Sequence, residues 1–250
     1  MSGHNKWSKI KRKKGATDAK RSKEFSRIVK EIHIAVKEGG SNDPDFNPRL
    51  RMAIANAKGA NMPKDNIERA IKKASDSNAK DLLELHYEGY APGGIAVFVE
   101  CTTDNQNRTI SNVRSIFNKY GGSLATNGSV DFLFERKGIF EIKKGDWDED
   151  ELTLELIDAG AEDLEFDEEE DRVYITTAYE DFGNMQKALE EKGIEVIKAE
   201  LQRIPTTSNA LPDEEARKAL RLIEALEEDE DVNNVFHNLE LSDSLLGEME

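Results

Sequence analysis

The sequence predicts a multi-domain α+β protein: a helical N-terminal bundle followed by two α+β sandwiches, one inserted in the other. Three observations predict it. The chain has 250 residues, more than a typical domain of ~100–150 residues holds. Its apolar period changes near residue 80, from the three- and four-residue steps of helices to strand-length runs. Charge is segregated at the same point. Residues 1–80 carry 20 Lys and Arg against 9 Asp and Glu, whereas residues 81–250 carry 15 against 42. Such asymmetry suits a basic element made for a polyanion, attached to a body that repels one.

The elements follow in order. Residues 1–15, MSGHNKWSKIKRKKG, have no apolar period and read as an exposed basic arm. Phe25, Ile28, Val29, Ile32, Ala35 and Val36 form one helical stripe that Gly39-Gly40 ends. Asn47-Pro48 is an N-cap with proline at the first helical position, ahead of Leu50, Ala53, Ile54 and Ala57. Gly59 closes that helix, Pro63 restarts the chain, and Ile67, Ala70, Ile71 and Ala74 mark a third. Ser75–Asp81 is a linker. Beyond it, strands are predicted at His86–Tyr90 and Ile95–Cys101 around an Ala91–Gly94 turn, then a helix at Arg108–Tyr120 and a strand at Val130–Phe134. Strand Ile139–Ile142, helix Glu149–Ala159, strands Ala161–Phe166 and Val173–Thr177, helix Phe182–Lys192 and strand Ile194–Leu201 give βαββαβ, the ferredoxin-like order. A helix at Pro212–Glu228 and a strand at Val235–Leu241 make no compact unit alone, so they are expected to complete the middle domain. The expected division is 1–80, 81–135 with 205–241, and an inserted 136–204, with 242–250 as an acidic tail.

Composition excludes several classes. The net charge is −16 with 37% hydrophobic residues, and no run approaches the ~18–20 apolar residues of a membrane span. The basic opening lacks the apolar segment of a secretory signal, and the single cysteine, Cys101, suits a reducing compartment. A cytoplasmic protein without a membrane partner is expected. Catalytic patterns fail. Gly121–Ala125 lacks the second glycine of a nucleophile elbow. His4, His33, His86, His237 and Cys101 have no zinc spacing. Asp146, Asp148 and Asp150 open like a calcium loop, but Glu151 and Ile157 stand where glycine and glutamate belong. The acidic runs Asp146–Glu151 and Asp163–Asp171 read as solvated loops. No enzyme, cofactor, metal or small-molecule substrate is expected.

The basic arm carries the functional signal. Lys6, Lys9, Lys11, Arg12, Lys13, Lys14, Lys20, Arg21, Lys23, Arg27 and Lys30 face only Asp18 and Glu24 in the first thirty residues. Phosphate neutralisation by such cations releases counterions and drives nucleic-acid binding. Trp7 could stack on an unpaired base or anchor the arm to the protein's own core. A second basic set, Arg49, Arg51, Lys58, Lys64, Arg69, Lys72 and Lys73, surrounds a tip formed by Gly59, Met62, Pro63 and Lys64. That tip is either a contact element or an ordinary helix–helix connection.

Several blocks together resemble the YebC/PmpR family: Met1–Lys11, Asn61–Ile67, Tyr87–Gly94, Thr103–Thr109 and the Gly128–Val130 turn. The resemblance implies a helical domain and two ferredoxin-like domains, the last inserted in the middle one. It implies a regulator of gene expression that binds DNA, or a translation factor acting on ribosomes stalled at proline-rich stretches. Carried over, the contact residues are Lys6, Trp7, Lys9, Lys11, Arg12, Lys13 and Lys14 on the arm and Met62, Pro63 and Lys64 at the tip. Asn5 departs from the serine of the family pattern. Lys-to-phosphate contacts do not choose between DNA and ribosomal RNA. A protein-interaction module with acidic faces is the alternative.

Overall fold

The computed structural model describes residues 18–248, and the side chains of 21–246 apart from Asp243. Helices α1 (Asp18–Gly39), α2 (Pro48–Gly59) and α3 (Lys64–Ala74) come first. Strands β1 (Leu83–Ala91) and β2 (Ile95–Thr103), helix α4 (Gln106–Lys119) and the short β3 (Ser123–Leu124) follow. Then come β4 (Phe134–Lys143), α5 (Glu149–Asp158), β5 (Ala161–Asp167), β6 (Arg172–Ala178), α6 (Phe182–Glu191) and β7 (Val196–Pro205). The described chain closes with β8 (Asn209–Ala210), α7 (Asp213–Glu228), β9 (Val232–His237), β10 (Leu239–Glu240) and α8 (Asp243–Glu248). The fold is α+β.

Two compact units divide these elements. One joins residues 24–79 to 136–203; the other joins the described residues up to Lys23, 80–135 and 204 onward. In the first unit, α1 to α3 bury Ile28, Ile32, Leu50, Ala53, Ala57 and Ile67 against one another. Asn47 fixes their entry. Its Oδ1 caps α2 by accepting from the Leu50 N–H (3.0 Å), while Nδ2 donates to the carbonyls of Ala35 and Ser41. The segment from β4 to β7 keeps the predicted βαββαβ order in a sheet ordered β5-β6-β4-β7. Phe140, Ile142, Val173 and Ile175 from its strands meet Leu152, Leu156, Met185 and Leu189 from α5 and α6.

β7 lies at the edge of that sheet, where unpaired backbone groups are a liability. Asn56 of α2 covers them. Its Nδ2 donates to the Ala199 carbonyl and its Oδ1 accepts from the Ala199 N–H, both at 2.8 Å. The approach is so close that a Cβ on Gly59 would fall 1.8 Å from the Ile197 carbonyl oxygen. Glycine is thus required there by backbone contact, in addition to ending the helix.

The second unit holds an antiparallel sheet ordered β3-β1-β2-β9. Helices α4 and α7 bury Val113, Phe117, Leu222, Ile223 and Leu226 with Val97 and Val99 of β2. Two expectations are corrected here. Val130–Phe134 is not a strand: Asp131–Leu133 forms a 3-10 turn, and Phe134 opens β4. The reason is Glu88. Its carboxylate, 1% exposed, accepts from the N–H groups of Gly128 (2.7 Å), Val130 (2.6 Å) and Asp131 (3.1 Å), which bends the backbone around it. Nor is the chain after Leu241 simply an acidic tail. It turns into α8, whose Leu245 is buried in the core of this unit.

Candidate nucleic-acid interface

Lys6, Trp7, Lys9, Lys11, Arg12, Lys13 and Lys14 lie outside the described residues, as does the side chain of Lys20. The described members of the basic set begin on α1. Lys23, Arg27 and Lys30 recur at three- and four-residue steps, so they share a face turned away from the Ile28–Ile32–Ala35 stripe. That face is partly engaged within the protein. Lys23 donates to the Asp229 carbonyl (2.8 Å), and Arg27 lies 3.9 Å from Glu31 and 3.6 Å from Glu200. Arg21 is exposed.

The tip between α2 and α3 is a Schellman motif. Asn61 sits at φ 56° in the left-handed region; its N–H reaches the Lys58 carbonyl, and the Met62 N–H reaches back to Ala57 (both 2.9 Å). This motif brings the residue after the left-handed one against the last turn of the helix. Met62 is accordingly 6% exposed and packs in the helical core. It is therefore corrected from a surface contact to an anchor of the tip. The hydrophobic member of the motif was readable from Ala57, Asn61 and Met62. Pro63 and Lys64 do face outward, with Lys58 and Asn61 beside them.

Few of the second basic set remain uncommitted. Arg49 pairs with Glu38 and Arg51 with Glu190 (2.8 Å), while Arg69 donates to Asp65 and Asn66. Lys64 lies 3.5 Å from Glu68. Lys58, Lys72 and Lys73 are exposed and form no ion pair among the described residues. Residues 24–79 hold 10 Lys and Arg against 8 Asp and Glu, while residues 1–23 hold 9 against 1. The basic excess is therefore concentrated ahead of residue 24, and the tip adds a small cationic rim.

Two other sequence blocks are explained by packing rather than by a ligand. Tyr87–Gly94 meets the Gly128–Val130 turn through the Glu88 carboxylate and the Tyr90 hydroxyl, which donates to the Ser129 carbonyl (3.1 Å). Burial pushes Glu88 up, but the three backbone N–H groups outweigh it and hold the carboxyl below its ordinary range. In Thr103–Thr109, Asn105 caps α4 by accepting from the Arg108 N–H (3.1 Å). The Arg108 guanidinium grips Asp231 at the start of β9 (2.9 Å to each oxygen), and the Thr109 hydroxyl donates to the same carboxylate (2.8 Å). Arg108 is held above its ordinary value, first by its hydrogen bond to Asp231 and then by that to Asp104. Sequence reasoning missed these partners because Asp231 is more than a hundred positions away. Among the groups a hydrolase would use, Cys101 is buried in β2 and His237 Nδ1 accepts from the Leu239 N–H (3.2 Å).

Residues 5–77 match the family model described as the TACO1/YebC protein N-terminal domain, and residues 82–239 match that of the TACO1/YebC second and third domain. The chain belongs to the TACO1/YebC family. A probable transcriptional regulatory protein of Amoebophilus asiaticus is 53% identical over 240 residues, covering 96% of this chain and 98% of its own. One of the same description from Geobacillus thermodenitrificans is 49% identical over 245 residues, covering 97% and 98%. The crystal structure of a conserved hypothetical protein from Aquifex aeolicus superposes with a TM-score of 0.77 at 44% identity, over 90% of this chain and 93% of that one. In the family's terms, the tip lies in the N-terminal domain, and Glu88 and Arg108 in the matched region that follows. No helix among the described residues is long and apolar enough to cross a membrane.

Proposed function

We propose that this chain is a non-enzymatic, nucleic-acid-binding regulator of gene expression acting in the cytoplasm. In this reading, residues 1–80, 81–135 with 205–241, and 136–204 serve as three domains, and the basic first domain docks on phosphates. The observation that carries it is the concentration of charge, nine cations against one carboxylate in residues 1–23, on a chain whose net charge is −16. The relatives' description as transcriptional regulatory proteins is in keeping with it. Lys58, Pro63 and Lys64, presented on a turn anchored by Met62, favour a structured RNA such as that of the ribosome, because a rigid tip enters a crevice better than an open groove. Duplex DNA is the competing polymer.

The test is a salt titration on both. Six phosphate contacts on a duplex give a log–log slope of about −5, with a shallower one on single strands. Reversing Lys11, Arg12, Lys13 and Lys14 to Glu is expected to weaken binding by orders of magnitude at low salt and to flatten the slope by several units. Trp7→Ala is expected to weaken binding to looped RNA at every salt concentration, since stacking contributes ~1–3 kcal/mol. Unchanged affinity and slope after the four reversals would hand the function to the protein-interaction reading.

A further inference from the structure

The helix α5 is built as a self-sufficient element on its inner side and leaves an unexplained surface on its outer side. Asp148 caps it by accepting from the Glu151 N–H (3.0 Å), and Leu152 and Leu156 fill the core beneath. Trp147, Leu154 and Ile157 lie 43%, 68% and 52% exposed. Asp150, Leu154 and Ile157 follow the three- and four-residue steps of one helical stripe, with Leu154 and Ile157 direct neighbours at i and i+3, and Trp147 stands just ahead of the helix, before its cap Asp148. Isolated exposed apolar residues would call for no account; an adjacent exposed pair on one helix face, with an exposed tryptophan just ahead of the same helix, does.

The rim of the stripe says what covers it. Asp150, Glu151 and Asp158 form no ion pair among the described residues, whereas Glu155 and Glu149 are held by Lys192 (2.6 Å) and Lys144 (2.7 Å). Carboxylates in the first turn of α5 complement the helix dipole, so local stability accounts for Glu149, Asp150 and Glu151. It does not account for Asp158, which closes the helix at the end where negative charge is unfavourable. Phosphate is repelled by this rim. A second copy related by a two-fold axis would set the same acids against themselves. We infer that the outer Leu154–Ile157 face of α5, with Trp147 just ahead of the helix, docks a basic amphipathic segment of another protein, its apolar residues on that face and its Lys or Arg side chains on Asp150, Glu151 and Asp158.

The inference stands apart from the nucleic-acid reading, and its test leaves the four arm cations intact. The chain has two tryptophans, so Trp7→Phe in the full-length protein leaves Trp147 as the only reporter. The probes are a synthetic amphipathic Leu/Lys helical peptide and its Leu/Glu counterpart. The Lys peptide is expected to bind saturably with a blue shift of Trp147 emission. Leu154→Ser with Ile157→Ser is expected to weaken that binding at least tenfold, and Asp150→Asn with Asp158→Asn to weaken it severalfold at low salt. Phe46→Ser, which changes an exposed phenylalanine elsewhere (78% exposed), should change nothing. Both serine sites are exposed, and Ile157→Ser alone replaces the pair if circular dichroism shows the pair unfolded. Equal binding by the serine variants, equal binding of the Glu peptide, or a dimer that the serine changes dissolve would each overturn the inference.

Discussion

In one unit a buried carboxylate, Glu88, receives the N–H groups of Gly128, Val130 and Asp131. In the other a buried amide, Asn56, both accepts from and donates to Ala199. Both side chains satisfy backbone that no strand or helix partner reaches, and both reach across a long stretch of sequence to do so. They differ in what the site demands. Three converging donors call for an acceptor that is only an acceptor, so ionisation is part of the structure. One donor and one acceptor call for an amide, and a charge there would face a carbonyl. Which polar residue fills a buried gap is thus set by counting the donors and acceptors that border it.

Breaking the carboxylate side of the comparison has the largest expected effect. In Glu88→Gln one oxygen serves three donors, and stranded buried groups cost about 1–3 kcal/mol each. The loss is expected to reach ~3 kcal/mol at neutral pH, read by denaturant unfolding, with faster amide exchange at Gly128, Val130 and Asp131. Because the Glu88 carboxyl is held low in the folded state, its contribution is present above the ordinary carboxylate pKa and lost as pH falls through the folded value. The gap between Glu88→Gln and the parent should therefore begin to narrow only as pH falls below the ordinary glutamate value of ~4.3, and close at lower pH still. A gap that is constant across pH would mean that shape, not charge, is what Glu88 supplies.

The amide side is expected to cost a comparable amount. Asn56→Leu strands two groups of Ala199, and at about 1–3 kcal/mol each it should destabilise the first unit without altering exchange at Gly128. Asn56→Asp sharpens the contrast: it should be the worse replacement at neutral pH and improve on acidification, opposite in sign to Glu88. The nearby Glu31 carboxyl is pushed upward by burial, with Arg27 drawing it down and Glu200 raising it, so that region already disfavours further negative charge.

The smallest effect is at the tip. Asn61→Gly keeps the left-handed conformation and should shift stability by only a few tenths of a kcal/mol. Nucleic-acid affinity should stay unchanged, since Asn61 contributes conformation rather than charge. A tenfold loss of affinity would instead make its side chain a contact.

Much of this was legible in the sequence. Helical and strand periods placed the longer elements but not β3, β8 or α8, Asn47-Pro48 and Gly59 marked true helix boundaries, and the blocks around Met62, Tyr87 and Thr103 pointed to the family. Those signals are local: propensity, capping and apolar period act within a few residues of one another. The concentration of positive charge ahead of residue 24 is likewise a property of the chain itself. What only the tertiary structure decided is where a local pattern meets a distant partner. VDFLF reads as a strand until the Glu88 carboxylate arrives from forty positions upstream and bends its start into a turn. Met62 reads as a surface residue until the left-handed Asn61 folds it back onto Ala57. Asn56 reads as one more helical polar residue until β7 needs an edge covered. Hydrogen-bond satisfaction in a buried site is a constraint on space, and a sequence lists its donors and acceptors without saying which of them will share that space.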